Sequence, residues 1–240
     1  MMNFDYEFEK IKSDRESGSL DLALAFLDLV RNSTPPKETI LDRLSDLEAT
    51  FPDMTIFSKI KAQIIQGIKN GNDIHSVFAN LQNQLEHSIE RLTTRVKHLV
   101  TPKDLILTFS NSRTLSSLLQ SIKVKKVFVA HSLPGGEGEI LYGILKKFQN
   151  TELIEDNQIE EVLSLDGVKV MISCDSVVPK IGFVNKVGTA NLCALAQEKD
   201  VPVILVGGWL KETDLIAQNS QSPLLEWIPW FDNIVYVSDR

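Results

Sequence analysis

At Thr101-Pro102 the hydrophobic rhythm of the chain changes. From about Phe4 to Val100 apolar residues recur every three or four positions, the period of helices that bury one face. Beyond Pro102, short apolar runs rich in β-branched residues alternate with helical stretches, and Gly, Ser, Asn and Asp punctuate the junctions. Strands that alternate with helices return parallel to one another, so this half must build a parallel sheet with crossover helices. The sequence predicts an α/β protein: a helical N-terminal domain over residues 1–100, then a doubly wound parallel sheet of about five to seven strands over residues 101–240.

Within the helical part, Gly18-Ser19 precedes a stretch in which Leu20, Leu22, Leu24, Phe26, Leu27 and Val30 leave few solvent positions, so this helix is expected to be well buried. Pro35-Pro36 ends one helix and begins another, and a helix around Ile56 to Ile68 stops at the cap signal Asn70-Gly71-Asn72. Ile74 to Leu99 carries a long amphipathic pattern. His75, His87 and His98 lie along it at spacings of twelve and eleven residues, too far apart to share a helical turn, and no metal is expected.

In the second half, strands are expected at Leu105–Leu107, Val127–Ala130, Val168–Ser173, Val203–Val206 and Ile234–Val237. Thr151 to Asp166 offers only a helix at Gln158 to Leu165, and Trp209 to Ala217 reads as helical. The stretch from Val168 to Gly208 is a strand, a turn through Pro179 and Gly182, a helix opening near Gly188, and a strand. It places Asp175 just past a strand end and Asn185, Lys186, Gly188 and Thr189 at the start of a helix, where free N–H groups and the helix dipole favour an anion. Ser110-Asn111-Ser112-Arg113, after the first strand, suits a phosphate for the same reason. Each residue alone has a plain structural role as a cap or a solvated charge; their convergence at strand ends makes a binding crevice. Gly135-Gly136-Glu137-Gly138 does not fit the G-x-G-x-x-G spacing and reads as a turn. His131 and Cys174 are expected to be structural.

A formal charge of -7 and a pI near 5.2 argue against direct nucleic-acid binding. Two cysteines make no disulfide framework, and the acidic start of the chain lacks the pattern of a secretion signal. No run reaches the length of a membrane span, so the cytoplasm is the expected compartment. No cofactor is indicated.

The stretch C-D-S-V-V-P-K-I-G-F-V-N-K-V-G-T resembles the translation initiation factor 2B alpha/beta/delta family, in which G-A-D is followed ten residues later by N-K-x-G-T; the family includes the methylthioribose-1-phosphate and ribose-1,5-bisphosphate isomerases. I-K-S-D-R-E-S-G-S, I-L-T-F-S-N-S-R-T, P-G-G-E-G and L-E-W-I-P-W-F-D-N-I-V-Y-V-S-D extend the resemblance over nearly the whole chain. It implies helices on a Rossmann-like domain, homo-oligomers, and initiation factor 2 or a phosphorylated small molecule as partner. It also implies a catalytic pair in the isomerases, an aspartate matching Asp175 and a cysteine where this chain has Ser110. Their phosphate-gripping arginine is replaced at Ser17-Gly18-Ser19, and the usual R-P becomes Leu133-Pro134. A serine hydroxyl is a far poorer acid and nucleophile than a thiol. The expectation is therefore a non-catalytic binding module with a pocket for a sugar phosphate or nucleotide near Ser110, Asn111, Ser112, Arg113, Asn185, Lys186, Gly188 and Thr189. The alternative is an aldose–ketose isomerase, an intramolecular oxidoreductase, working through Asp175.

Overall fold

The computed structural model describes residues 3–214 and 222–240. Five helices come first: α1 (Phe4–Ser13), α2 (Ser19–Ser33), α3 (Lys37–Thr50), α4 (Ile56–Lys69) and α5 (Ile74–Val96). Each boundary has a local cause. Pro35-Pro36 separates α2 from α3; Asp73 caps α5, its carboxylate accepting the Ser76 N–H at 3.1 Å. α2 buries eight of its fifteen residues, among them Leu22, Ala23, Phe26 and Leu27. They pack with Phe8, Leu44, Phe57, Ile60 and Leu81 into one helical core.

From Leu105 onward the chain alternates as the sequence predicts. β1 (Leu105–Thr108), α6 (Arg113–Ser121), β2 (Lys126–Ala130), α7 (Gly138–Leu145), β3 (Thr151–Ile154), α8 (Ile159–Leu163) and β4 (Val168–Ser173) follow in order. Next come β5 (Ser176–Val178), β6 (Gly182–Lys186), α9 (Thr189–Glu198), β7 (Val203–Val206), β8 (Leu225–Pro229) and β9 (Ile234–Val237). The six parallel strands lie in the order β3-β2-β1-β4-β7-β9, so the direction of winding reverses between β1 and β4. Strand alternation sorts the side chains. Leu107, Phe128, Val170, Ile172 and Leu205 pack on one face against α8 and α9. Ile106, Val127, Val129, Met171 and Ile204 pack on the other against α6, α7 and the end of α5.

Four details depart from the sequence expectation. The turn through Pro179 and Gly182 is a hairpin, and β5 and β6 pair antiparallel with β8 in a separate three-stranded sheet. Asn185 and Lys186 therefore end a strand rather than begin a helix. β3 and β8 are strands that the sequence does not predict, since neither carries a clear apolar alternation: Thr151–Ile154 sits at the sheet edge, and β8 includes Pro229. Trp209–Lys211 forms only a short 3-10 turn; of the helix expected to Ala217, residues 215–217 lie outside the described residues.

The helical and sheet regions share packing. Trp209 and Leu210 join the helical core, while Leu92 and Val96 of α5 pack beneath the sheet. Asp239, 2% exposed, ties the regions together: Oδ1 accepts the Trp209 N–H at 2.7 Å and Oδ2 accepts Arg91 at 2.9 Å. Asp239→Ala leaves a buried N–H without its acceptor and is expected to destabilise the protein by about 2 kcal/mol, measured by urea unfolding.

Candidate functional site

The reversal between β1 and β4 opens a crevice at their carboxyl ends, the place where open parallel sheets bind ligands. A cleft of about 500 Å³ lies there. Its floor comes from the sheet region: Ser110, Asn111 and Ser112 after β1, Ser173 and Asp175 after β4, Asn185 and Lys186 from β6, and Lys211. Its roof comes from the helical region, in the α1–α2 connection (residues 14–18) with the start of α2, and the α3–α4 connection around Phe51 to Met54. The roof supplies Leu20, Phe51, Pro52 and Met54; the wall is completed by Pro223, Leu224 and Leu225.

The floor is built by hydrogen bonds. Ser110 adopts φ 66°, a left-handed conformation rare for a residue with a side chain, and its N–H donates to Ser132 Oγ at 2.6 Å. Ser112 caps α6 by accepting the Leu115 N–H at 3.1 Å, and Ser173 Oγ lies 3.0 Å from Ser112 Oγ. Asp156 holds the loop after β2, accepting from the Ser132 and Leu133 N–H groups, each at 2.8 Å. In the roof, Asp14 Oδ1 accepts the Glu16 and Ser17 N–H groups at 2.8 and 2.9 Å. Burial alone raises the Asp14 pKa, but these hydrogen bonds outweigh it and hold the carboxylate below its ordinary value.

Every cation of the cleft already has a partner. Lys186, 3% exposed, is 2.6 Å from Glu137 Oε1. Lys211, 5% exposed, donates to the Cys174 carbonyl at 2.6 Å. Arg113 pairs with Asp21 of α2. Arg15 donates to the Lys12 and Asp14 carbonyls and stacks 4.9 Å above the Phe51 ring. By contrast, the Asp175 carboxylate makes no hydrogen bond or ion pair among the described residues; only its backbone N–H is engaged, to the Val184 carbonyl at 2.8 Å.

Six of the eight predicted ligand-binding residues thus line one cleft, as does Asp175: Ser110, Asn111, Ser112, Arg113, Asn185 and Lys186. Gly188 and Thr189 do not. The N-terminus of α9 is filled by the protein's own anion: Glu226 Oε1 accepts the Gly188 and Ala190 N–H groups at 2.8 and 2.9 Å. Thr189 is fully buried and bonds to Asn185 and the Lys186 carbonyl. Gly188 is there for its shape: φ is 100°, and a Cβ would sit 2.8 Å from the Phe109 ring. Glu137 lies in the loop that the sequence reads as a turn, and Ser17-Gly18-Ser19 of the roof is the segment that the resemblance points to. Lys211 and the roof residues Phe51 to Met54 carry no such signal, because none belongs to a local pattern that points at the strand ends.

Cys174 is 1% exposed, does not line the cleft and packs against Tyr236 and Gly207. Burial pushes its thiol up to about 12, against the opposing pull of Lys211. Cys193 is buried to the same effect, also about 12. The four histidines and two cysteines form no metal cluster with acids among the described residues.

The initiation factor 2 subunit family matches this chain over residues 29–226. The chain belongs to that family. A relative, translation initiation factor eIF2B subunit alpha of Caenorhabditis elegans, is 31% identical over 111 residues, which cover 44% of this chain and 36% of that subunit; the match spans little more than a third of the relative's length. The fold is shared with the translation initiation factor eIF-2B of Pyrococcus horikoshii OT3, with a TM-score of 0.81, 18% identity, and coverage of 95% of this chain and 91% of that one. It is shared with a chain of the tetrameric eIF2B-beta2-delta2 complex of C. thermophilum, at a TM-score of 0.74, 16% identity and coverage of 98% and 88%. The 5-methylthioribose 1-phosphate isomerase of P. horikoshii OT3 shares it too, at a TM-score of 0.65, 18% identity and coverage of 95% and 80%. The initiation factor 2 subunit fold is thus common to translation factors and to an enzyme. No helix among the described residues is long and apolar enough to cross a membrane.

Because both thiols are buried and protonated well above neutrality, native protein at pH 8 is expected to incorporate no iodoacetamide over an hour, and two equivalents after urea unfolding, read by intact mass. Alkylation of Cys174 in the native state would place its thiol within reach of the cleft.

Proposed function

We propose that this chain is a non-catalytic, regulatory subunit of the initiation factor 2B type, whose cleft binds a phosphorylated small molecule, a sugar phosphate or a nucleotide. The observation that carries the reading is the absence of a reactive thiol from the described cleft: Ser110 stands where the isomerases of the resemblance have cysteine, and Cys174, the nearest thiol in sequence to Asp175, is buried outside it. Aldose–ketose exchange needs an acid as well as a base to move protons near neutral pH; a carboxylate can serve as the base, but a serine hydroxyl does not replace the thiol as the acid.

What favours binding is the composition of the cleft. The first turn of α6 and the buried ammonium of Lys186 offer hydrogen-bond donors for an anion, while Leu20, Phe51, Pro52 and Met54 offer an apolar wall. Because the roof comes from the helical region and the floor from the sheet region, a ligand bound between them bridges the two. We place the domain boundary at residues 100/101, the protein in the cytoplasm, and a homo-oligomer as its working form, with initiation factor 2 as the regulated partner. Membership of the family supports the choice of partner, and the tetrameric beta2-delta2 assembly of the C. thermophilum relative, which is built of two kinds of subunit, supports an oligomer.

One observation favours the second reading, an isomerase of a pentose 1-phosphate: the Asp175 carboxylate is unpaired and faces the cleft, as a general base must. Thermal unfolding with ribose, methylthioribose and nucleotide phosphates, followed by an isomer assay on any stabilising ligand, separates the two. The expected result is selective stabilisation without turnover, since a ligand of the folded state alone raises the unfolding temperature. Turnover lost in Asp175→Asn would establish the enzyme.

A further inference from the structure

Lys186 is the deepest cation of the cleft floor, and its one described partner is a residue of a glycine-rich loop. Its side chain is 4% exposed and lies 2.6 Å from Glu137 Oε1. The other carboxylate oxygen, Glu137 Oε2, is buried and has no hydrogen-bond partner among the described residues. The Glu137 side chain as a whole is 19% exposed, so one of its oxygens is buried without a hydrogen bond in return while the carboxylate stays close to solvent. Lysine, for its part, carries three donors and uses one.

The loop that delivers Glu137 is shaped for the task. Gly138 lies so close to the end of β2 that a Cβ would sit 1.8 Å from the Ala130 carbonyl oxygen, which brings the start of α7 down onto the sheet. A Cβ on Gly135 would meet the Glu137 carboxylate at 2.5 Å, so the carboxylate folds back over its own loop through the space the glycine leaves. Pro134 and Gly135 are exposed, and solvent is available to the carboxylate if it swings outward.

We infer that Glu137 is an internal counter-anion that occupies the phosphate position beside Lys186, and that a phosphorylated ligand must displace it to bind. The inference rests on the reading of the cleft as a phosphate-ester site. A carboxylate and a phosphate cannot share one ammonium at close range without strong repulsion, and Asp175 already adds negative charge to the same floor. Glu137 thereby fixes the specificity of the cleft: a ligand with a weak anion leaves the Lys186–Glu137 pair closed, and a phosphate monoester, with more charge and more acceptors, opens it.

The test uses the full chain and two probes, inorganic phosphate and ribose 5-phosphate, titrated by calorimetry at constant ionic strength. Glu137→Gln keeps the shape and the hydrogen bond to Lys186 but removes the competing charge. Gly135→Ala keeps the charge and pushes the carboxylate out of the way, the atom met being the far end of a flexible side chain. Both variants are expected to bind ribose 5-phosphate at least tenfold more tightly than the unmodified protein, and Lys186→Met is expected to lose binding. Equal or weaker binding by both variants, with the unmodified protein still binding, overturns the inference and leaves the phosphate reading intact. If Glu137→Gln fails to fold, Gly135→Ala decides alone. Should none of the four proteins bind either probe, the phosphate reading falls and the inference with it.

Discussion

The cleft depends on one topological constraint: β1 and β4 are neighbours, yet the connections that leave them wind in opposite directions. No crossover helix covers the gap between their carboxyl ends, so the polar residues that follow each strand are left facing one another. Ser110 to Ser112 and Ser173 to Asp175 meet there because of this reversal, although more than sixty residues of chain separate them. The helical region then supplies a roof, and its loops are stiffened by their own acids, Asp14 among them.

Carboxylates of this protein satisfy donors at and around the strand ends. Glu226 fills the N-terminus of α9, Asp156 satisfies the N–H groups of the loop after β2, Asp21 pairs with Arg113, and Glu137 pairs with Lys186. These pairs differ in kind. Glu226 and Asp156 each accept two backbone N–H groups and are structural in the ordinary sense, since losing either carboxylate would leave two donors to be satisfied elsewhere. Asp21 and Glu137 each pair with one side chain through one oxygen, but the Asp21–Arg113 pair is partly exposed, whereas Glu137 sits on the nearly buried Lys186 ammonium, which makes it the member of this set that a ligand would have to displace.

The two regions are held in register by more than the roof contacts. α5 spans both, contributing Leu81 and Leu85 to the helical core and Leu92 and Val96 to the packing beneath the sheet. Arg91 on the same helix reaches Asp239, which fixes Trp209 and so returns an aromatic side chain to the helical core. α5 and this clamp thus join the region that carries the roof of the cleft to the region that carries its floor.

Periodicity alone determined the order and type of most elements, because an amphipathic helix and a buried strand leave different spacings of apolar residues in any sequence. Family membership, too, was legible, in the C-D-S-V-V-P-K-I-G-F-V-N-K-V-G-T stretch and its companions. The hairpin β5–β6 was not, since its alternation is swamped by burial on both faces: every residue of the two strands is buried. Nor was the occupant of the α9 N-terminus, because Glu226 lies 38 residues beyond Gly188 and reaches it only through the register of β6 with β8. Local spacing fixes which backbone a segment adopts; which side chain ends up beside Lys186 is a matter of long-range packing, and only the tertiary structure decides it.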